Sequence, residues 1–348
     1  PTEIDAERQI ILEERRRGLS GRQRTTDYIM ERFAPGSIFG FRDPIGTEET
    51  IKGVNQQDFR DYYGKWYVPA NATVMVIADA PTADVVKVIK DKFGPAPTKP
   101  RPTPQEVGVT AYEKSFAIVA SDAEIQSEDI RISRIEPARP PVTTVPMYRE
   151  ELVLNVAESA LNRRLSDKVA RGGTSYLNAR VGSGNDANSF FSAEMSGRAN
   201  PGQWKQTLLE LALELQRARA FGFTTREIDD VKKDMMAGAE RAVETEATMP
   251  ASAFGGRING NVSADEPTMS AKQRLDLLNQ FLPSITVEEI SARFAKEYDP
   301  KAVAFIAVMP AGPNVPSEAE LLSIGTAALN VKPQQDVEIA PATKLLDM

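Results

Sequence analysis

The chain has 348 residues, of which 41% are apolar and 26% are charged, and this composition is typical of a globular protein long enough for two domains. Its 42 lysines and arginines against 49 aspartates and glutamates give a net charge of −7, which provides no electrostatic footprint for nucleic acid. The sequence contains no cysteine and no histidine, which excludes a Ser-His-Asp triad, a cysteine nucleophile and a zinc site with imidazole or thiolate ligands from this chain alone. The net charge therefore predicts no nucleic-acid partner. No run approaches the roughly 20 apolar residues of a membrane span, so we also expect no membrane span.

The first predicted helix, residues 2 to 17, carries two carboxylates, Glu7 and Glu14, seven positions apart. Because an α-helix turns by about 100° per residue, these two side chains return to nearly the same side of the helix. The simpler interpretation is a solvated face, since the helix is rich in Glu and Arg and since Glu13 and Arg17 have ion-pair spacing. A functional pair of carboxylates is the alternative, and the resemblance described below favours it.

The next segments are predicted to continue this helical layer. Gly18 and Gly21 are expected to loosen the helix before it resumes from Thr25 to Phe33. Residues 37 to 54 are predicted to form an ordered loop, and Asn55 is predicted to cap a helix that ends at Trp66. A large buried face of that helix is expected from its aromatic side chains, Phe59, Tyr62, Tyr63 and Trp66.

An apolar segment and a proline-rich segment follow. Residues 72 to 78 are almost wholly apolar, which predicts a strand in the middle of a sheet that is covered on both faces. The sequence Pro81-Thr82 predicts the start of an amphipathic helix whose inward side chains are Val85, Val86 and Ile89. Five prolines between Gly94 and Pro104 favour a semi-rigid domain linker over a polyproline ligand.

The remaining sequence has the element pattern of a complete α+β unit. Strands are predicted near 115–119, 129–135 and 302–309, a long helix at about 146–170, and a hairpin from 176–181 and 189–195. Asn200 and Pro201 are predicted as the N-cap and first-turn proline of a helix with a core stripe of Trp204, Leu208, Leu211, Leu215 and Ala218. Three capping boxes predict further helices: Thr224 with Glu227, Ser270 with Gln273, and Thr286 with Glu289. From residue 312 we expect a mainly extended tail with one short helix near 317–329.

The two units share an order of elements, because in each a helix with an aromatic and proline signature precedes an apolar strand. This parallel predicts an internal duplication. We therefore expect an α+β fold of two related domains, each a sheet covered by helices, with the first domain lacking its beginning. The predicted divisions are 1–94 for the C-terminal part of the first domain, 95–110 for the linker, 111–312 for the second domain and 313–348 for a tail or connector.

Motifs in the first 95 residues are similar to those of a known peptidase family. The sequence Glu7-Arg8-x-Ile-Ile-Leu-x-Glu14 is followed by Pro44-Ile45-Gly46-Thr47 and then by Asp58-Phe59-x-x-Tyr62-Tyr63-x-Lys65-Trp66-Tyr67-x-Pro69-x-Asn71. In this order the motifs resemble the insulinase/pitrilysin family of zinc peptidases, the inverzincins. The family signature is His-x-x-Glu-His on a helix, with a distant Glu as third zinc ligand. Residues 111 to 310 more weakly resemble the second, non-catalytic domain of the family, and the tail resembles a connector between the two halves of a longer enzyme.

The resemblance implies roles for both carboxylates of the first helix. Glu14 matches the third zinc ligand, and Glu7 matches a carboxylate that supports the site without binding the metal. The His-x-x-Glu-His helix, with two zinc ligands and the general base, is not in this sequence. We therefore expect zinc in the full-length protein, and we expect this chain alone to bind zinc weakly or not at all and to hydrolyse nothing.

Two functions are compatible with the resemblance. The first is a truncated piece of a zinc endopeptidase that hydrolyses peptides in a closed chamber, and the abrupt start and the retained Glu7 and Glu14 favour it. The second is a non-catalytic partner or structural subunit of the same family that binds peptide or a sister subunit. The expected partners are a peptide substrate, the missing N-terminal segment, and a second half or sister subunit. The resemblance favours the bacterial periplasm or cell envelope over the cytoplasm.

Overall fold

A computed structural model describes residues 2–186 and 188–335, and it has an α+β fold. The helices are α1 (Thr2–Gly18), α2 (Gly21–Phe33), α3 (Glu48–Gly53), α4 (Gln56–Trp66), α5 (Thr82–Phe93), α6 (Val145–Arg171), α7 (Trp204–Phe221), α8 (Thr225–Thr245), α9 (Ala251–Ser263), α10 (Ala271–Phe281), α11 (Val287–Glu297) and α12 (Glu318–Leu329). The strands are β1 (Phe116–Asp122), β2 (Glu128–Pro137), β3 (Tyr176–Asp186), β4 (Phe190–Ala199) and β5 (Ala304–Pro310). Short 3₁₀ helices lie at Phe39–Phe41, Pro69–Asn71, Glu246–Thr248 and Leu282–Ser284. The last part of the predicted tail, residues 336–348, lies outside the described residues.

The five strands form one sheet in the order β1-β5-β2-β4-β3. Strands β1 and β5 are parallel, and the other neighbours are antiparallel. The predicted hairpin is therefore confirmed as β3 and β4. Strand β5 lies second from one edge, and Ala304 to Met309 are all buried, which explains the continuous apolar run in its sequence.

Helices cover one whole face of the sheet. The stripe predicted for α7 is confirmed, because its apolar residues are buried against the sheet together with those of α6. Phe305, Ala307 and Met309 of β5 belong to this first apolar cluster. The prediction of an α+β sheet covered by helices is thus confirmed for the second unit.

Helix α2 covers part of the other face of the sheet, although it precedes the proline-rich segment in sequence. Its residues Ile29 and Phe33 form a second apolar cluster with alternate residues of β5, namely Ala304, Ile306 and Val308. The start of α2 is held at the end of β1, because the Glu124 carboxylate accepts a hydrogen bond from the Gly21 amide at 2.6 Å. The predicted domain division at residues 95–110 stays a prediction. Apolar side chains from before and after that segment pack together, because α2 contacts the strands of the second unit.

Local capping was predicted well in the second unit, with two exceptions. Complete capping boxes form at Thr224 with Glu227 and at Ser270 with Gln273. Thr286 does cap α11, but the Glu289 carboxylate forms a bidentate pair with Arg149 of α6 instead. The predicted N-cap at Asn200 is wrong. Helix α7 begins at Trp204, and the side-chain amide of Asn200 instead donates a hydrogen bond to the carbonyl of Thr174, two residues before the start of β3. Helix α9 was not predicted, since its glycine-rich sequence has no buried residue that would create a periodic pattern.

The predictions for three segments of the first 94 residues, 37–54, 55–66 and 72–78, are wrong in whole or in part. The segment 37–54 is not a loop throughout, because α3 forms after the capping residue Thr47. The aromatic face of α4 is not buried, and Phe59, Tyr62 and Tyr63 are 49–63% exposed. Residues 72–78 are not a strand, since no described strand pairs with them, and their apolar side chains from Val74 to Ile77 are exposed. The pattern of apolar residues shows which side chains could be buried. Burial also requires a partner surface, and the described residues provide none for these side chains.

Helix α5 agrees with its predicted start but not with all of its predicted packing. It begins at Thr82, and Val85 and Ile89 are half-buried. Val86, which was predicted to pack inward, is 40% exposed.

Two arginines hold α1 against the segment around α3. The Arg8 guanidinium donates hydrogen bonds to the carbonyls of Ile51 (2.9 Å) and Val54 (2.7 Å). Arg15, one seven-residue repeat later, donates to the carbonyl of Gly46 at 3.1 Å. Hydrogen bonds from a charged donor stabilise more than neutral ones do, so these contacts fix the rotation of α1 about its axis.

Two buried carboxylates in the second unit have opposite surroundings. The side chain of Glu297 is 0% exposed and accepts hydrogen bonds from Arg134, Arg139 and Arg293 at 2.6–2.9 Å. Burial acts to raise its pKa, but the guanidiniums, first of all Arg139, hold the pKa of Glu297 below its usual value. Glu158 accepts hydrogen bonds from the hydroxyls of Ser183 and Tyr298, both at 2.6 Å, and burial raises its pKa.

We expect the two carboxylates to respond differently to neutralisation. Glu297→Gln should lower the free energy of unfolding at pH 7.5 by about 3 kcal/mol, because it leaves buried guanidiniums uncompensated. Since the folded-state pKa of Glu297 is lowered, its stabilisation is present above about pH 4.3 and is lost as the pH falls further. Glu158→Gln should cost about 1 kcal/mol or less at pH 7.5, because the charged form is already disfavoured. Urea unfolding at pH 7.5 and pH 4 measures both, and equal losses for the two variants at pH 7.5 would contradict the assignment.

We expect Arg8→Gln to loosen α1 without unfolding the sheet. Loss of the two charged hydrogen bonds should speed amide exchange in α1 and α3 by about tenfold or more, while exchange in β2, β4 and β5 stays unchanged. Hydrogen exchange followed by mass spectrometry measures this. The matched control is Arg16→Gln, because the hydrogen bonds that the Arg16 side chain makes in the described residues go to Glu13 of the same helix. Equal exchange rates in α1 of the two variants would show that Arg8 does not hold the helix.

Candidate functional site

The two predicted site residues lie on the exposed side of α1. Glu7 and Glu14 are both exposed, and neither has a hydrogen bond or ion pair within the described part of the chain. Glu13 differs from both, because it is paired with Arg16 and Arg17, which confirms the predicted ion pair with Arg17. The structure therefore places Glu7 and Glu14 at one solvent-facing stripe with their carboxylates free.

The outward direction of the two carboxylates follows from the spacing of charged residues along α1, where a glutamate and the arginine after it recur seven positions later. Arg8 and Arg15 come one residue after Glu7 and Glu14, so the arginine stripe lies about 100° around the helix from the carboxylate stripe. Because the arginines face α3 and its preceding turn, the carboxylates face away from this contact. Sequence reasoning identified the carboxylates and missed the arginines, although the same spacing of seven could have revealed them.

The motif Pro44-Ile45-Gly46-Thr47 forms the surface on which Arg15 docks. Gly46 has a φ of +84°, a conformation that glycine adopts without strain, and its carbonyl accepts the hydrogen bond from Arg15. The Thr47 hydroxyl caps α3 by accepting from the Thr50 amide at 3.1 Å. The second motif therefore supports the helix that carries the first.

The described residues do not form a metal site by themselves. No group of three or more Asp, Glu, His or Cys side chains in residues 2–186 and 188–335 is arranged to hold a metal ion. A carboxylate such as that of Glu14 can supply one oxygen ligand, whereas a catalytic zinc takes three protein ligands. The residues present thus fit one part of a zinc site, and the remaining ligands would have to come from other polypeptide.

An unpaired extended segment lies elsewhere on the same part of the chain. Residues 72–78 have no ladder of backbone hydrogen bonds to a described strand. One side of the segment approaches α9, since a Cβ added at Gly255 would lie 3.6 Å from the Ile77 side chain. Extended backbone with unpaired amides and carbonyls can accept a further strand.

None of the helices in the described residues is long and apolar enough to cross a membrane.

Comparison with known proteins shows that most of the chain is similar to probable zinc proteases. The chain is 24% identical over 316 residues to the probable zinc protease PqqL of Haemophilus influenzae, which covers 89% of this chain and 33% of that protein. It is 23% identical over 294 residues to the probable zinc protease PqqL of Escherichia coli, covering 84% of this chain and 31% of that protein. The chain thus spans about a third of the length of these relatives.

Solved structures share the fold. The periplasmic protease PqqL from Escherichia coli superimposes with a TM-score of 0.88 at 20% identity, over 100% of this chain and 39% of that chain. The ferredoxin protease FusC, solved as a mutant in complex with Arabidopsis ferredoxin, superimposes with a TM-score of 0.79 at 18% identity, over 100% of this chain and 39% of that chain.

A family model described as the peptidase M16 inactive domain matches residues 53–235. This match confirms the resemblance to insulinase-type peptidases, and the two free carboxylates of α1 lie before the matched range. Because the match covers more than half of the sequence, the chain belongs to the peptidase M16 family.

Proposed function

We propose that this chain is part of a zinc-dependent endopeptidase, in which Glu14 is the third zinc ligand and Glu7 supports the site. The observation that carries the proposal is the pair of free carboxylates on one stripe of α1, together with the arginines that hold this helix in a fixed rotation. The other two ligands and the general base would come from polypeptide outside this chain. Zinc, when bound, would supply Lewis-acid chemistry at the scissile carbonyl.

The exposed apolar surface of the first 94 residues supports a missing part of the same domain. The aromatic side chains of α4 and the apolar side chains from Val74 to Ile77 are exposed, whereas soluble proteins rarely leave large contiguous apolar patches uncovered. We propose that residues 72–78 become a strand when further polypeptide of the full-length protein pairs with them. Residues 1–94, 95–110 and 111–312 would then be the end of a catalytic-type domain, a linker and a second, non-catalytic domain.

The proposed protein acts on peptides in a chamber. Two such domains would form one half, and a second half or a sister subunit would close the chamber, with residues 313–348 as the connector. The relatives are about three times longer than this chain, which leaves room for that second half. The periplasm is the proposed compartment, because the solved PqqL of Escherichia coli is described as periplasmic.

The alternative is a non-catalytic partner or structural subunit that binds peptide or a sister subunit. The absence of histidine and the match to the inactive domain of the family favour this alternative. The encoded sequence before Pro1 separates the two functions. A His-x-x-Glu-His motif there supports the enzyme, and its absence would leave only the non-catalytic function.

We expect Glu14→Gln in the full-length protein to weaken zinc binding by about 100-fold or more, because the metal loses a ligand. Glu7→Gln should weaken zinc binding by about 10- to 100-fold, because it removes a group that supports the site. Competition with a chromogenic chelator measures zinc affinity, and chelator-sensitive cleavage of a quenched fluorescent peptide measures activity. Glu13→Gln is the matched control, because Glu13 lies on the same helix but is paired with arginines on its surface.

Two results would contradict the proposal. One is unchanged zinc affinity in Glu14→Gln. The other is chelator-sensitive peptide cleavage by residues 1–348 alone after removal of metal and reloading with one zinc per chain.

A further inference from the structure

The face of the sheet that α2 covers is divided into an apolar half and a polar half. The apolar half is mainly β1 and β5, where Ile118, Ile306 and Val308 pack beneath α2, and it extends to Ile135 at one end of β2 and Phe190 at the start of β4. On the other half, Arg131 of β2, Ser196 of β4 and Arg180 of β3 lie directly opposite one another in a single row. Arg131 is also opposite Ile306 of β5, which shows that the row belongs to this second face.

The two arginines of the row are free. Neither Arg131 nor Arg180 has a hydrogen bond or an ion pair in the described residues, and Arg180 is exposed while Arg131 is half-buried. The next row provides a contrast, because Arg198 of β4 is paired with Asp129 of β2 at 3.0 Å. Two unpaired guanidiniums in one row of a sheet are unexpected on a chain with a net charge of −7.

The sheet surface between and beside the two arginines carries small side chains. The small side chain of Ser196 separates Arg131 from Arg180. Because neighbouring strands lie about 4.8 Å apart, the Cα atoms of the two arginines are roughly 10 Å from each other. Gly182 follows Arg180 on the same face of β3, and a Cβ added there would be 3.6 Å from the Arg180 guanidinium. Gly184 has nothing within 4 Å of an added Cβ. An extended chain could therefore approach this part of the sheet closely.

Two acidic residues of this face flank the row: Asp129, two residues before Arg131 on β2 and paired with Arg198, and Glu194, two residues before Ser196 on β4. Glu194 forms no ion pair with either arginine in the described residues, and burial, followed by the nearby charge of Glu194, raises the pKa of Tyr112. The Tyr112 hydroxyl donates to the Phe33 carbonyl at 2.6 Å, so this side of Glu194 is bordered by the end of α2. The row of Arg131, Ser196 and Arg180 is the neighbouring row of the sheet, with Arg180 on the edge strand at the side away from β5.

We propose that Arg131 and Arg180 bind a carboxylate group of a peptide that lies across the open half of this face. The planar guanidinium matches a carboxylate in bidentate geometry, and Ser196 between the two offers a hydroxyl donor. The carboxylate is either the C-terminus of the peptide or an acidic side chain. The proposal rests on the proposed function, because a peptide chamber is what would bring a peptide to this face.

The test uses residues 1–348 without metal and three fluorescein-labelled 12-residue peptides of Ser, Gly, Leu and Tyr. One has a free C-terminus, one is amidated, and one is amidated with two internal Glu residues. Fluorescence anisotropy should show about tenfold tighter binding for a peptide with a carboxylate than for the neutral amidated peptide. A preference for the free C-terminus identifies the terminal carboxylate, and a preference for the internal Glu residues identifies acidic side chains.

Arg131→Gln and Arg180→Gln should each remove most of this preference. Arg226→Gln is the matched control, because Arg226 is exposed at the start of α8 and also has no partner in the described residues. If Arg131→Gln fails to fold by circular dichroism, Arg180→Gln alone decides, since Arg180 is exposed on an edge strand. Equal binding of all three peptides, or an equal loss in Arg226→Gln, would overturn the proposal.

The outcome is separable from that of the proposed function. Carboxylate-dependent binding by this chain, with no cleavage by the full-length protein, would support the arginine site and contradict the peptidase. Zinc-dependent cleavage by the full-length protein, with no carboxylate preference in the anisotropy measurement, would contradict the arginine site alone.

Discussion

Strand β5 is buried on both faces, and the arrangement of the rest of the chain depends on that burial. Its alternate residues belong to two separate apolar clusters, so each face of the strand needs its own cover. Helices of the second unit cover one face, and α2 covers the other. The segment before the proline-rich region is therefore attached to the sheet by the burial of apolar surface, which is the dominant favourable contribution to folding.

This attachment also determines where α1 lies. Only Leu19 and Ser20 separate α1 from α2, and the start of α2 is held at the end of β1 by Glu124 and by the pair of Arg24 with Asp122. The Arg8 and Arg15 contacts then fix the rotation of α1. Ion pairs and charged hydrogen bonds do not by themselves hold a fold together, but here they select which side of a short-linked helix faces outward. The outward side is the one with Glu7 and Glu14.

The second face of the sheet shows how one surface can serve two purposes. Its apolar half must be covered, whereas the middle of its polar half, around the row of Arg131, Ser196 and Arg180, has serine, glycine and charged residues that tolerate solvent. A small residue between two long arginines leaves the row of Arg131, Ser196 and Arg180 open. The same strand alternation that buries Phe191, Ala193 and Met195 on the helix-covered side places Ser196 and Glu194 on the open side.

The sequence by itself determined the features that depend on neighbouring residues. Helix periodicity placed Glu7 and Glu14 on one side of α1 and identified the buried stripe of α7. Capping chemistry placed the starts of α8 and α10, because a cap and its third residue lie within one turn.

Only the tertiary structure decided the features that depend on residues distant in the chain. It left the apolar segment 72–78 without a partner strand, and it paired Glu289 with Arg149, which lies 140 positions away, rather than with its own helix start. It brought Arg131 and Arg180 into one row across β4, which no spacing in the sequence predicts. The physical reason is that periodicity fixes the direction of a side chain relative to its own helix or strand, whereas what that side chain meets is set by the packing of the other elements.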